Sequence, residues 1–145
     1  MREKRVMRYW CDYCNKGGCQ KAAMLRHEEH CTLNPQRKCR VCNEAHNFGG
    51  SGLAKLVLIA KNDSESLAEL GYDLPPLTTN KELVDELKDA ADGCPVCVFS
   101  ALRQAGKIGI DKVTKEDFDL NKELADFWRE KNREDEYNDM MANLY

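Results

Sequence analysis

Six of the eight cysteines in this 145-residue chain fall in three Cys-x-x-Cys pairs: Cys11/Cys14, Cys39/Cys42 and Cys94/Cys97. No other feature constrains the fold as strongly. Two residues between thiols let both sulfurs turn inward on a tight knuckle and grip one tetrahedral ion about 2.3 Å away. In a secreted chain an even cysteine count argues instead for a disulfide framework. Nothing here directs secretion: Met1 to Arg8 is charged and no apolar stretch follows it. The longest apolar run, Leu56 to Ala60, falls far short of the ~20 residues that span a bilayer. The expectation is a cytoplasmic protein in a reducing compartment, without a membrane partner, whose paired cysteines hold metal.

The formal charge of −3 conceals two unlike halves. Residues 1–46 carry a net +5 and residues 47–145 a net −8. The basic half also holds all three histidines, His27, His30 and His46. This split points to modules with different jobs. The expected organisation is a basic module over residues 1–34, a helical domain over 35–112 closed by a second metal, and an amphipathic helical segment over 113–145.

The first constellation is Cys11-x2-Cys14-x12-His27-x3-Cys31. The cysteine knuckle suits a short hairpin, and Gly17 and Gly18 let the gap turn into a helix. Positions i and i+4 on that helix share one face and close the tetrahedron. Ala22, Ala23, Met24 and Leu25 fit the helix before His27. His30 is a rival fourth ligand, one residue before Cys31. Cys19 is left over, as a small buried residue or a loop thiol.

Over residues 9–31 the chain resembles the two-Cys, two-His zinc fingers, in a Cys-Cys-His-Cys variant. Tyr9 stands where that family keeps an aromatic, and Met24 where it keeps a large aliphatic. Gly18 stands where the family has a core Phe, so the mini-core is thin and leans on the rest of the protein. The resemblance implies a ββα fold and places Gln20, Ala23 and Arg26 at base-facing positions. Of these, Arg26 suits a guanine edge and Gln20 an adenine. One finger spans only about 3 bp, so phosphate contacts carry more of the expectation. They would come from Arg2, Lys4, Arg5, Arg8, Lys16 and Lys21, and from Arg37, Lys38 and Arg40. The same charges also serve simply to solvate a small metal module.

No histidine pair follows Cys42 at finger spacing. The nearest unused thiols are Cys94 and Cys97, with fifty-one residues between Cys42 and Cys94. Cys39, Cys42, Cys94 and Cys97 are therefore the expected second site, a four-cysteine zinc. Cys94-Pro95-Val96-Cys97 also resembles the redox motif of glutaredoxin- and thioredoxin-like proteins. That motif follows a strand, whereas Asn80 to Asp92 reads as a helix with Leu83, Val84, Leu87 and Ala91 in one stripe.

The remaining periodicity is helical. Gly49-Gly50-Ser51-Gly52 reads as a hinge, and Leu53, Leu56, Val57 and Ala60 as a stripe after it. Ser64 is placed to cap a short helix and Asn80 the next. Val98, Ala101, Leu102 and Ala105 follow the last knuckle, and Gly106 to Asp111 breaks that helix. Thr114 and Asp117 form a capping-box-like start. Leu120, Leu124, Phe127 and Trp128 make one stripe and Tyr137, Met140, Met141 and Leu144 another, with the charged Arg129 to Glu136 between them. The stripes pack on the chain's own helices or dock a protein partner.

The fold class read from these signals is mostly α: a small ββα zinc finger plus a helical domain pinned by four cysteines. Two zinc ions, no catalytic group and no small-molecule substrate are expected. DNA or RNA is the expected partner, with a structural or assembly protein as the alternative. The small size, the single variant finger and the acidic helical remainder are similar to virus- or phage-encoded accessory proteins, for which the host cytoplasm would be the location.

Overall fold

The computed structural model describes residues 1–41, 53–108 and 112–143. The hinge read at Gly49 to Gly52, and Cys42, His46 and Leu144, lie outside the described residues. Within them run strands β1 (Tyr9–Trp10) and β2 (Gly17–Gly18) and helices α1 (Lys21–His30), α2 (Leu53–Ala60) and α3 (Ser64–Glu69). Helices α4 (Asn80–Ala90), α5 (Pro95–Gln104) and α6 (Leu120–Ala142) complete the order. The described residues are thus mostly helical, with one small sheet and two clusters of cysteine side chains among them.

The sheet is a two-residue antiparallel ladder with Tyr9 opposite Gly18 and Trp10 opposite Gly17. A Cβ at Gly17 would stand 2.6 Å from the Trp10 ring, so only glycine lets the indole lie across the strand. At Gly18 the methyl end of Met24 stands 3.6 Å from where a Cβ would be, occupying space that a larger residue would otherwise fill. The core beneath is small: Cys11, Met24 and Cys31 are buried, with Tyr9, Cys14 and Leu33 packed against them.

A second and larger core lies between α2, α4 and α5. Leu56, Ile59, Leu67, Val84, Leu87, Val98 and Leu102 are all at most 1% exposed. They recur every three or four residues, so each helix turns one stripe inward. Burial of each large side chain contributes about 1.5–3 kcal/mol against exposure. Helix α2 packs on α4 and α5, α3 packs on α2, and α6 leans on α5. Cys39, Cys94, Cys97, Val113 and Phe118 belong to the same cluster, and Leu120 packs against it.

Helix starts fall one residue from the expected places. Asp63, not Ser64, caps α3, its carboxylate accepting from the Ser66 backbone N–H at 3.2 Å. Thr79, not Asn80, caps α4: its hydroxyl accepts from the Glu82 N–H at 3.2 Å. Thr79-Asn80-Lys81-Glu82 has the capping-box spacing. Glu82 here reaches one residue further back, accepting from the Thr78 N–H at 2.8 Å. That bond holds the Glu82 carboxyl below its ordinary range. Thr79→Ala is expected to lower stability by about 1 kcal/mol; an unshifted denaturation midpoint would show that this cap carries no weight.

Thr114 and Asp117 do not start a helix. They close a turn, with the Asp117 carboxylate accepting from the Thr114 N–H at 3.2 Å. The helix starts at Leu120 instead, where the Asp119 side chain accepts from Asn121 and Lys122. From there α6 runs unbroken through the charged stretch, joining the two stripes into one 23-residue helix. Lys88 ties its first turn to α4 through Glu123 at 2.9 Å. Leu124, Phe127 and Trp128 are half-buried, but Tyr137 and Met140 are 57% and 56% exposed. Tyr137 and Met140 of the second stripe are therefore not packed on the chain's own helices. At about 1.5 Å per residue α6 is more than twice as long as the ten-residue α5 beneath it, so its end outruns the domain.

Candidate metal centres

The first centre is built by a knuckle and a helix face. Backbone bonds from Cys11 N to Lys16 O (2.8 Å) and from Asn15 N to Cys11 O (3.3 Å) close the knuckle, with Asn15 in the left-handed region at φ 60°. The Tyr13 N–H donates to the Cys11 sulfur at 3.4 Å. Helix α1 presents His27 from its last turn and Cys31 as its C-cap, and Glu28 on the same helix accepts from the Asp12 N–H at 3.0 Å, tying helix to knuckle. The donor atoms of Cys11, Cys14, His27 and Cys31 all lie within 4.8 Å of one another. Cys14 Sγ and His27 Nε2 are 3.1 Å apart, somewhat shorter than the ~3.5 Å edge of a tetrahedral site with ordinary zinc bond lengths.

His30 does not join this cluster. Its Nδ1–H donates to the Lys38 carbonyl at 2.8 Å, so Cys31 is the fourth member of the set. The thiols differ in acidity. Burial pushes Cys14 upward, but the Lys16 N–H and the His27, Cys31 and Cys11 side chains outweigh it and bring it down to about 7. Cys31 is pushed up to about 11, chiefly by burial and against the pull of the Leu33 N–H, with Cys14 and Cys11 adding to the rise. Of these two thiols, Cys14 is the one that more readily offers a thiolate.

The second centre sits in the main core. Cys39, Cys94 and Cys97 are 7%, 0% and 5% exposed, and their sulfurs lie within 4.8 Å of one another. Cys94 is the N-cap of α5, Pro95 follows it and Cys97 lies three residues on, so both thiols stand at a helix N-terminus. Cys39 Sγ and Cys94 Sγ are 3.7 Å apart. A disulfide needs about 2.05 Å, whereas two sulfurs each about 2.3 Å from one tetrahedral ion stand ~3.8 Å apart. The donor set fits a metal. None of the seven described cysteines is in a disulfide. Cys19, outside both clusters, is exposed, 3.9 Å from the Arg8 guanidinium. Helix α4, not a strand, precedes Cys94, as expected from its stripe, so the strand required by the redox motif is missing.

One strap joins the two centres. Residues 32–38 fold back over the C-terminus of α1 and satisfy carbonyls that a helix end leaves open. Asn34 Nδ2 donates to Glu28 O at 2.8 Å, Lys38 N to Glu29 O at 2.9 Å and Arg37 Nε to His30 O at 3.3 Å. The strap then docks on α5. Thr32 O accepts from Ser100 Oγ (2.7 Å) and Gln104 Nε2 (3.1 Å), and Thr32 Oγ1 from Arg103 (2.7 Å).

This changes the basic surface expected for nucleic acid. Arg37 is 5% exposed and bonded to the helix end, so it is no phosphate contact: the open carbonyls of α1 draw the guanidinium inward. Lys38 is exposed but pairs with Glu29 at 2.7 Å. Gln20, Lys21, Arg26 and Arg40 are exposed. Arg2, Lys4, Arg5, Arg8 and Lys16 are exposed too, and Arg8 stacks over Trp10 with its guanidinium carbon 5.4 Å from the ring centroid. Sequence reasoning did not select Ser100, Arg103 and Gln104, since nothing local marks a contact reaching some seventy residues back. No described helix is long and apolar enough to cross a membrane. No family model matches the chain, and neither a curated protein nor a solved structure matches it significantly.

Proposed function

We propose that this is a small zinc-binding protein whose two metals are structural and whose N-terminal module binds nucleic acid. The observation that carries the metal reading is the convergence of three thiols and one imidazole within 4.8 Å, beside a second buried set of three thiols. Thiolate and imidazole donors in a tetrahedral arrangement suit zinc above other common cations. Four protein ligands close the first coordination sphere, so its metal has no open position for a substrate or an activated water. The nucleic-acid reading rests on the exposed Gln20, Lys21, Arg26 and Arg40 around the module, together with the family resemblance.

Two measurements test it. Protein purified without added metal is expected to carry two zincs per chain; one would remove the second site, and none would overturn the reading. Affinity for short DNA or RNA is expected to fall linearly in log–log form with salt, by about 0.9 per phosphate contacted on duplex DNA. Absent or salt-independent binding would transfer support to a protein partner. One observation favours that second reading: the distal half of α6 keeps Tyr137 and Met140 more than half exposed on an acidic helix.

A further inference from the structure

Three arginines from three parts of the chain meet in one groove. Arg26 comes from α1, Arg40 from just past the strap and Arg103 from α5; Ala23, His27, His30, Cys31 and Thr32 complete the wall. No aspartate or glutamate lines it, although acids outnumber bases in the whole chain, 25 to 22. Among the described residues Arg26 and Arg40 have no carboxylate partner within ion-pairing distance, and Arg103 spends one N–H on Thr32 Oγ1. A guanidinium carries five donors, so Arg103 keeps four for another acceptor. Three cations gathered in one groove repel one another; Glu29 offsets part of the charge of Arg40, and an anion relieves the remaining repulsion.

We infer that this groove clamps the phosphate backbone of the nucleic acid, with Arg103 of the helical domain completing a site begun by Arg26 and Arg40. The inference rests on the nucleic-acid reading above. It adds that the helical domain is part of the binding surface and not merely its carrier. Arginine forks match two phosphate oxygens at once, which is why guanidinium groups suit this role. Because the strap docks on α5, the distance from Arg26 to Arg103 is set before the strand arrives.

The test follows fluorescence anisotropy of a short labelled DNA duplex and a short RNA hairpin over a salt series. For Arg103→Gln, the duplex slope of log affinity against log salt is expected to fall by about 0.9, and affinity at 0.1 M salt by about eightfold. Arg26→Gln should do the same. Gln104→Ala loosens the same strap, removing bonds to Thr32 O and Asn34 O without touching a guanidinium, and its slope is expected to match the wild type. Zinc content and melting temperature are measured on every variant. Wild-type binding with an unchanged Arg103→Gln slope would overturn the clamp and leave the nucleic-acid reading standing. A slope lost equally in Gln104→Ala would make Arg103 a strap residue only and overturn it as well. No salt-dependent binding by the wild type to either probe would overturn both.

Discussion

Cys94→Ser is expected to release one metal per chain and to unfold the helical core with it. Cys94 is 0% exposed and belongs to the same buried cluster as Leu56, Ile59, Val98 and Leu102. Two losses coincide there. A structural zinc contributes on the order of 10–16 kcal/mol of apparent binding energy to its folded site, while a whole domain is stable by only about 5–15 kcal/mol. The serine hydroxyl then sits in a fully buried place, and a buried hydroxyl without a partner costs about 1–3 kcal/mol more. Zinc per chain and the far-ultraviolet circular dichroism signal on heating read the result. A Cys94→Ser protein that keeps two zincs and the wild-type melting temperature would show that Cys39, Cys94 and Cys97 are merely packed together.

The second large effect is local. His27→Ala is expected to melt the N-terminal module and leave the main core folded. Of the three buried residues in the small core, Cys11 and Cys31 are themselves candidate ligands, which leaves Met24 alone. Helix α1 has ten residues, no side-chain cap at Gln20 and no acid in its first turn. Isolated helices shorter than about 12–15 residues are marginal in water, so α1 has little to stand on without metal. Hydrogen exchange should lose protection across Lys21–His30 while Leu53–Ala60 and Pro95–Gln104 keep theirs. Protection that survives in α1, or disappears everywhere at once, would contradict a module whose core is mainly its metal.

The sequence showed most plainly what is local. Cys11, Cys14, His27 and Cys31 are legible because a knuckle and an i, i+4 pair fix geometry within a few residues, and these are the four that converge. Cys39 was legible with Cys94 and Cys97 only by exclusion, since spacing left them unused. Helix stripes were readable for α2, α4 and α5, but the caps of α3 and α4 were off by one residue. Asp63 and Ser64, like Thr79 and Asn80, are neighbouring cap formers, and a period of 3.6 does not choose between them. Two features were illegible. A row of basic residues does not say which cation is drawn inward to a helix end, so Arg37 looked like surface. The bonds from Ser100, Arg103 and Gln104 to Thr32 depend on the fold of everything between.

The strap has a consequence for the order of assembly. Cys31 closes a loop back to Cys11 across twenty residues, whereas Cys39 must find Cys97 across fifty-eight. Loop closure costs about 0.6 kcal/mol more for each doubling in length, so the first ring has an entropic head start of ~0.9 kcal/mol over the second. Its closing also puts the strap on the end of α1 and delivers Cys39 only eight residues beyond Cys31, already oriented. Refolding started by adding zinc should therefore show the N-terminal ring closing ahead of the helical core, and the reverse order in stopped-flow traces would refute it. The short step between two cysteines then acts as a relay, passing order from the fast ring to the slow one.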